Sequence, residues 1–284
     1  MPDFWRSAED PERVMHASVT RWQENEYQQR EDLLTVEEPF EVRIDGRSLA
    51  VIMRTPGNDR ELAMGFLCTE GVITGAEDVL SITDAKDEDG LPLANVVDVT
   101  LHSKRQQESF QAKPTAFERH FAVSASCGLC GKNSIADLLI SVPPIEQMEP
   151  CIAASVLYEL PARLRPEQAV FTYTGGLHAA GLFSADGELL LLREDVGRHN
   201  AVDKIIGHGL LHGQFPYTHH ILLVSGRTSF EIIQKALLAR IPCIAAISAP
   251  SSLAVELAER SGITLIGFLR NHTLNVYTHP ERIT

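Results

Sequence analysis

The C-terminal third of this chain constrains its fold most. From His178 onward, short apolar runs alternate with amphipathic stretches of helical period. His178 to Phe183 and Glu188 to Arg193 flank the turn signal SADG and predict a hairpin. A helix is predicted over 198–211, a strand over 221–224, a helix over 229–239 and a strand over 243–247. A further helix over 251–260 and a strand over 263–269 follow, with an edge strand at Leu274 to Tyr277. Strands alternating with helices imply parallel β-α-β units, so the expected class is α/β with helices covering the sheet.

The N-terminal half carries weaker signals. At roughly 150 residues per domain, 284 residues correspond to about two domains. FEVRI, Asp45-Gly46 and RSLAVIMRT predict a hairpin with a type I′ turn. Asn58, with Glu61 three residues on, has the spacing of a capping box before a helix ended by Gly71. Asn95 to His102 predicts a strand, a helix is expected from about Asn133, and another runs from Ile152 to Leu164. Residues 1–40 hold ten acids and four bases, and residues 1–34 are expected to be a polar, mobile arm. An N-terminal α+β, strand-rich subdomain is expected over 35–126, and an α/β core that begins with the CGLCG loop over 127–284.

A net charge of −13 excludes a nucleic-acid partner held by phosphate neutralisation, which needs clustered Lys and Arg. No apolar run approaches the roughly 18–20 residues of a membrane helix. The first residues lack the basic start and apolar stretch of a secretory signal, so the cytoplasm is the expected location. The five cysteines are Cys68, Cys127, Cys130, Cys151 and Cys243. An odd count in a cytosolic chain is no disulfide scaffold. Cys68, Cys151 and Cys243 stand singly in apolar surroundings and read as buried core thiols.

Cys127-Gly128-Leu129-Cys130-Gly131 is the first chemical candidate. A thiolate is the reactive form of cysteine, and helix N-terminal N–H groups stabilise it. Thiol–disulfide exchange, a persulfide relay or half of a zinc site all fit this pair, as does a plain tight turn. Cys68-Thr69-Glu70 upstream resembles part of a zinc deaminase pattern, but Ser126 stands where that pattern has Pro. The second candidate is RED-VGRHN over 193–200, where His199 or Asp195 could move a proton and Arg198 could hold an anion, or all could form a solvated turn. The third is a pair of strand-to-helix turns, 224–229 with Gly226, Arg227, Thr228 and Ser229, and 247–252. Hydroxyls, a glycine and exposed helix N–H groups suit phosphate, and simple helix capping is the alternative. His178, after Gly175-Gly176, could contact a ligand or belong only to the hairpin.

ELAMGFLCTEG (61–71), CGLCG (127–131), TGGLHAAGLF (174–183), REDVGRHNAVDKIIG (193–207), VSGRTSFEIIQKA (224–236), IPCIAAISAPSSLAVELA (241–258) and GFLRNHTLNVYT (267–278) occur in this order. Together they resemble the FdhD/NarQ family, the formate dehydrogenase accessory sulfurtransferases. The resemblance implies a sulfur carrier that receives sulfur from a cysteine desulfurase. The sulfur then passes to bis-molybdopterin guanine dinucleotide, the molybdenum cofactor destined for formate dehydrogenase. It implies that Cys127 carries the persulfide with Cys130 as companion, and that Phe268, Leu269, Arg270, Asn271, His272 and Thr273 contact the cofactor. Gly226, Arg227, Thr228, Ser229, His178 and Arg198 join them as expected binding residues. The implied fold is a three-layer α/β/α arrangement similar to cytidine deaminases but without their zinc site, and the implied assembly is a homodimer. Cys68 departs from the family pattern, where an apolar residue is expected. A rival expectation is a non-catalytic chaperone that delivers the cofactor, with the CxxC only structural.

Overall fold

The computed structural model describes residues 4–6, 10, 12–102, 121–123, 142–145 and 152–284. The chain opens with β1 (Phe4–Arg6), β2 (Val14–Gln23) and β3 (Glu26–Thr35), which form a three-stranded antiparallel sheet in the order β1-β2-β3. The loose arm expected over 1–34 is therefore corrected over 14–35, where two ten-residue strands pair along their whole length. Glu24 and Asn25 adopt φ of 50° and 71°, the two positive values a type I′ hairpin turn requires. Polar composition concealed this ribbon because residues 20–31 face solvent on both sides.

Next come β4 (Glu38–Ile44) and β5 (Arg47–Arg54), joined by Asp45-Gly46 with φ of 51° and 77° as the turn chemistry predicts. Helix α1 (Asp59–Thr69) follows, then β6 (Val79–Lys86), β7 (Pro92–Leu101) and β8 (Phe121–Val123). These strands form a five-stranded sheet in the order β6-β7-β4-β5-β8. The capping box at α1 does not form. Asn58 makes no side-chain cap, and Glu61 turns to Arg193 instead.

The second half contains α2 (Ala154–Leu164), α3 (Ala169–Thr174), β9 (His178–Ser184), β10 (Leu189–Asp195), α4 (Arg198–His212) and β11 (His220–Val224). It closes with α5 (Phe230–Leu238), β12 (Cys243–Ala246), α6 (Ser252–Ser261), β13 (Thr264–Arg270) and β14 (Thr273–Thr278). The six strands lie in the order β10-β9-β11-β12-β13-β14. The β11-β12 and β12-β13 pairs are parallel, while β9 is antiparallel to both of its neighbours. Strands β10 to β13, except for β9's neighbouring reversal, therefore point one way, and β14 returns antiparallel at the edge.

Side chains alternate across this sheet as a two-residue period demands. Leu182, Leu222, Val224, Ile244 and Leu265 pack with α4, α5 and α6, and that core runs on into α1 and the five-stranded sheet. Phe183, Ile221, Leu223, Ala245, Ile266 and Leu269 pack on the other face with Leu157, Leu160 and Leu164 of α2. Helices thus cover both faces, as the alternation of elements predicted, in the α/β/α layering that the family resemblance implied. Among the described residues no helix is long and apolar enough to cross a membrane.

Candidate functional site at the carboxyl edge of the six-stranded sheet

Because β10, β11, β12 and β13 share a direction, their carboxyl ends meet along one edge. Helices α4, α5 and α6 each begin there, immediately after β10, β11 and β12. The amino end of β9 brings His178 to the same edge, since β9 runs the other way. Ligands of open α/β sheets bind in such a crevice. The fold therefore collects most of the sequence-predicted binding residues.

The two strand-to-helix turns brace each other. The Thr228 N–H donates to the Ala249 carbonyl (3.2 Å), and the Ser251 N–H to the Thr228 carbonyl (3.0 Å). The Phe268 N–H reaches the Ser248 carbonyl at 3.1 Å, which ties the end of β13 to the second turn. Ser225 clamps the first turn to β9, its hydroxyl accepting from the Ala179 N–H at 2.9 Å. Ser251 caps α6 by accepting from the Ala254 N–H. Capping thus explains part of the hydroxyl content of these turns.

It does not explain Thr228. That residue is fully buried, and its Oγ1 has no hydrogen-bond partner among the described residues. The buried Nε of Arg198 is likewise without one. Leaving buried polar atoms unpaired is costly, and each calls for a partner such as an ordered water, an ion or a polar ligand. Gly226 lies between them and His178. A Cβ built there would stand 3.2 Å from His178 Nδ1 and 3.5 Å from Arg198 Cδ, so glycine keeps this floor open. Arg227 projects into solvent beside it.

His199 joins the first helix to the second. Its Nε2 lies 3.2 Å from Ser229 Oγ, and Glu231 sits 3.9 Å away. Burial, reinforced by the positive charges of Lys235 and Arg198, pushes the His199 imidazole down to about 3. A neutral ring in this position donates Nε2–H to Ser229, whose own hydroxyl is then free to donate to Glu231. Burial would raise the Glu231 carboxyl, but Ser229, its own backbone N–H and His199 hold it below the ordinary value. His178 is also pushed down, first by burial and then by Arg198. Both imidazoles are therefore uncharged at neutral pH, and the cationic character of the edge comes from Arg198, Arg227 and Arg270.

The segment 268–273 forms the far end of the edge. Phe268 has φ 53° at a bulge in β13, and Asn271 and His272 have φ of 51° and 55° in the β13–β14 turn. The Arg270 guanidinium lies 5.7 Å from the Phe268 ring centroid. The Thr273 hydroxyl donates to the Arg270 carbonyl at 2.8 Å. His272 is exposed near Tyr158 and Glu159 of α2. Leu269 departs from its expected role, because it points into the core on the α2 face with no exposed surface.

Most of the charged motif at 193–204 is interior joinery. Arg193 forms a two-pronged pair with Glu61 at 2.6 and 2.7 Å. Asp195, fully buried, meets Lys204 at 2.8 Å and accepts from the Thr55 N–H, the Gly197 N–H and Asn200. Asp203 meets Lys235 at 2.8 Å and accepts from the Thr69 hydroxyl. Asp195, one of the sequence-based options for moving a proton, is held by these interior partners, although its strand partner is His178 at the edge. The Glu231 partnership was not read from sequence, because a helix-start acid looks like ordinary capping.

Cys127 and Cys130, with the whole CGLCG segment, lie outside the described residues, as does Cys151. Cys68 and Cys243 are buried, and burial pushes each thiol up to about 12. They are core thiols, protonated at neutral pH.

The family model described as "FdhD/NarQ family" matches residues 35–284. A relative from Nocardia farcinica named "Sulfur carrier protein FdhD" is 49% identical over 258 residues, covering 89% of each chain. A relative of the same name from Streptomyces avermitilis is 48% identical, covering 93% of this chain and 94% of that one. One from the archaeon Saccharolobus solfataricus is 42% identical, covering 95% and 98%. A crystal structure described as that of a formate dehydrogenase accessory protein from Desulfotalea psychrophila shares the fold, with a TM-score of 0.71 at 24% identity, covering 96% of this chain and all of that one. A match spanning the five- and six-stranded sheets and every residue of the carboxyl edge assigns this chain to the FdhD/NarQ family.

Proposed function

We propose that this protein is a cytoplasmic sulfur carrier serving formate dehydrogenase. Cys127 attacks the persulfide of a cysteine desulfurase, takes its terminal sulfur and releases the desulfurase thiolate. It then presents that sulfur to bis-molybdopterin guanine dinucleotide, which is cargo rather than a resident cofactor: the Cys130 thiolate attacks the inner sulfur, the outer one leaves at the sulfide level, and a Cys127–Cys130 disulfide remains for a thiol reductant. Cys130 is its companion thiol. The sulfur-carrier reading is supported by the shared name of the relatives.

One observation on this chain carries the cargo assignment. Among the described residues the buried Arg198 Nε and Thr228 Oγ1 have no partner, at an edge that also carries helix starts, Arg227 and Arg270. That chemistry fits a pyrophosphate, which a guanine dinucleotide supplies. Arg227, Arg198, His178, Gly226, Thr228 and Ser229 are assigned to the phosphates. Phe268, Arg270, Asn271, His272 and Thr273 are assigned to the remainder of the dinucleotide. The arginines also offset the repulsion between a thiolate and phosphates. The working unit is a pair of identical chains.

The deciding experiment incubates the reduced protein with a cysteine desulfurase and free cysteine, followed by peptide mass spectrometry. One added sulfur on the Cys127 peptide, absent without the desulfurase and absent in Cys127→Ala, is the expected result. An unmodified peptide in a protein that still binds guanosine diphosphate would instead indicate a delivery chaperone.

A further inference from the structure

The ribbon of β2 and β3 leaves the body of the protein soon after it begins. At its base Val14 and Leu33 pack with Val170 and Leu177, and the Thr35 hydroxyl meets that of Thr174 at 2.8 Å. Residues 20–31 are then exposed on both faces. Two strands with no core beneath them are only marginally stable in water. Trp22 and Tyr27, 67% and 65% exposed, pair across this free portion with ring centroids 5.3 Å apart. Among the described residues no strand pairs with the outer edge of β3.

The turn fixes which backbone groups face outward. Gln23 and Glu26 close the two-residue turn and are its hydrogen-bonded pair. By alternation Glu26, Gln28 and Arg30 spend their backbone groups on β2, while Tyr27, Gln29 and Glu31 direct theirs away from it. A two-fold axis through Gln28 sets that residue opposite the second copy's Gln28. Tyr27 then faces the second copy's Gln29, a pair able to exchange both N–H···O bonds. Glu26 faces the second copy's Arg30 at the closer, non-hydrogen-bonded spacing, where cross-strand charges interact best. The contact occurs twice by symmetry.

Moving the axis to Gln29 destroys this match, because Glu26 would then oppose the second copy's Asp32. Edge charges that repel unrelated strands therefore select one register of self-pairing. Arg30 already leans toward Asp32 at 3.5 Å on that same face, with both side chains partly exposed and free to shift.

We infer that the ribbon is the contact between two copies of this chain, β3 against β3 antiparallel about Gln28, giving one continuous six-stranded sheet. The inference deepens the paired-chain reading above. It rests on the charge pattern and backbone phase of residues 23–30.

The test is the mass of the full chain by light scattering after size-exclusion chromatography, across a dilution series. A dimer is expected. Arg30→Glu places carboxylates opposite each other at both ends and should raise the dimer dissociation constant at least about tenfold. Arg30→Glu combined with Glu26→Arg should restore it. Gln29→Pro removes an outward N–H without touching the β2 ladder and should also dissociate the pair, with circular dichroism checking that the chain remains folded. A wild-type monomer at every concentration would overturn both this contact and the paired-chain reading. A dimer unmoved by Arg30→Glu and by Gln29→Pro would overturn the ribbon contact alone.

Discussion

Gly65 and Asp203 meet backbone to backbone: a Cβ on Gly65 would lie 1.9 Å from the Asp203 carbonyl oxygen. The contact is reciprocated, since a Cβ on Gly207 would lie 1.8 Å from the carbonyl oxygen of Glu61. Helices α1 and α4 therefore touch along their backbones. No side chain can be inserted without moving a helix, and α4 begins at the carboxyl edge with Arg198 and His199. Gly65→Ala should cost about 3 kcal/mol or more, because neither backbone can yield locally. Urea unfolding measures it; a loss under about 1 kcal/mol, as for an ordinary surface change, would contradict the contact.

A second prediction concerns the buried pair that ties α4 to α5. Lys235 donates to both oxygens of Asp203 at 2.8 Å and to the Thr69 hydroxyl at 2.8 Å. Burial drives the Asp203 carboxyl up, and Lys235 opposes that shift. Lys235→Met strands a carboxylate in the core and should cost about 3–5 kcal/mol. Lys235→Met with Asp203→Leu should recover much of this, because an apolar pair carries no desolvation penalty. Equal losses in the single and double variants, by denaturant titration, would show that the ions are not coupled.

The third prediction is a pH dependence with a definite sign. His199 titrates near 3 when folded, against about 6.5 in an unfolded chain. Between those values the unfolded state binds the extra proton. The stabilisation is therefore complete above pH ~6.5 and is lost as pH falls, by up to about 1.4 kcal/mol per pH unit from this group. Replacing His199 with Asn should flatten the slope of unfolding free energy between pH 6.5 and 4.5 relative to wild type. An unchanged slope would mean that the buried ring is not the proton acceptor.

The C-terminal sheet was legible because its apolar runs, helical periods and turn residues agree over every element from His178 to Tyr277. The carboxyl edge was legible for the same reason, as parallel strands must gather their carboxyl ends. The ribbon was not, because its distal half has no apolar face to announce it. Nor was the inward role of Arg193, Asp195 and Asp203. Their partners Glu61, Thr55 and Thr69 lie more than a hundred residues away, and charge at a turn looks solvated until the fold supplies a buried counterpart. Leu269 shows the limit of reading a binding segment as a block. Strand alternation sends its side chain to the core while Phe268 and Arg270 remain at the edge.

The last prediction separates the proposed phosphate site from sulfur loading at Cys127. Arg198 has a buried Nε without a partner, so its removal forfeits no hydrogen bond made through that atom among the described residues. Arg198→Ala should change stability by less than about 1 kcal/mol. Against a phosphate, however, a lost charge-assisted bond is worth about 1.5–3 kcal/mol, so guanosine diphosphate should bind roughly ten- to a hundredfold more weakly. Exposed Arg227, changed to Ala, should give a smaller and more salt-sensitive loss. Isothermal titration calorimetry at two ionic strengths reads both effects. Sulfur loading of Cys127 by the desulfurase should survive in each variant, since the phosphate site belongs to delivery rather than to loading. Wild-type affinity in Arg198→Ala would move the phosphate away from this edge, whatever the fate of the cysteine.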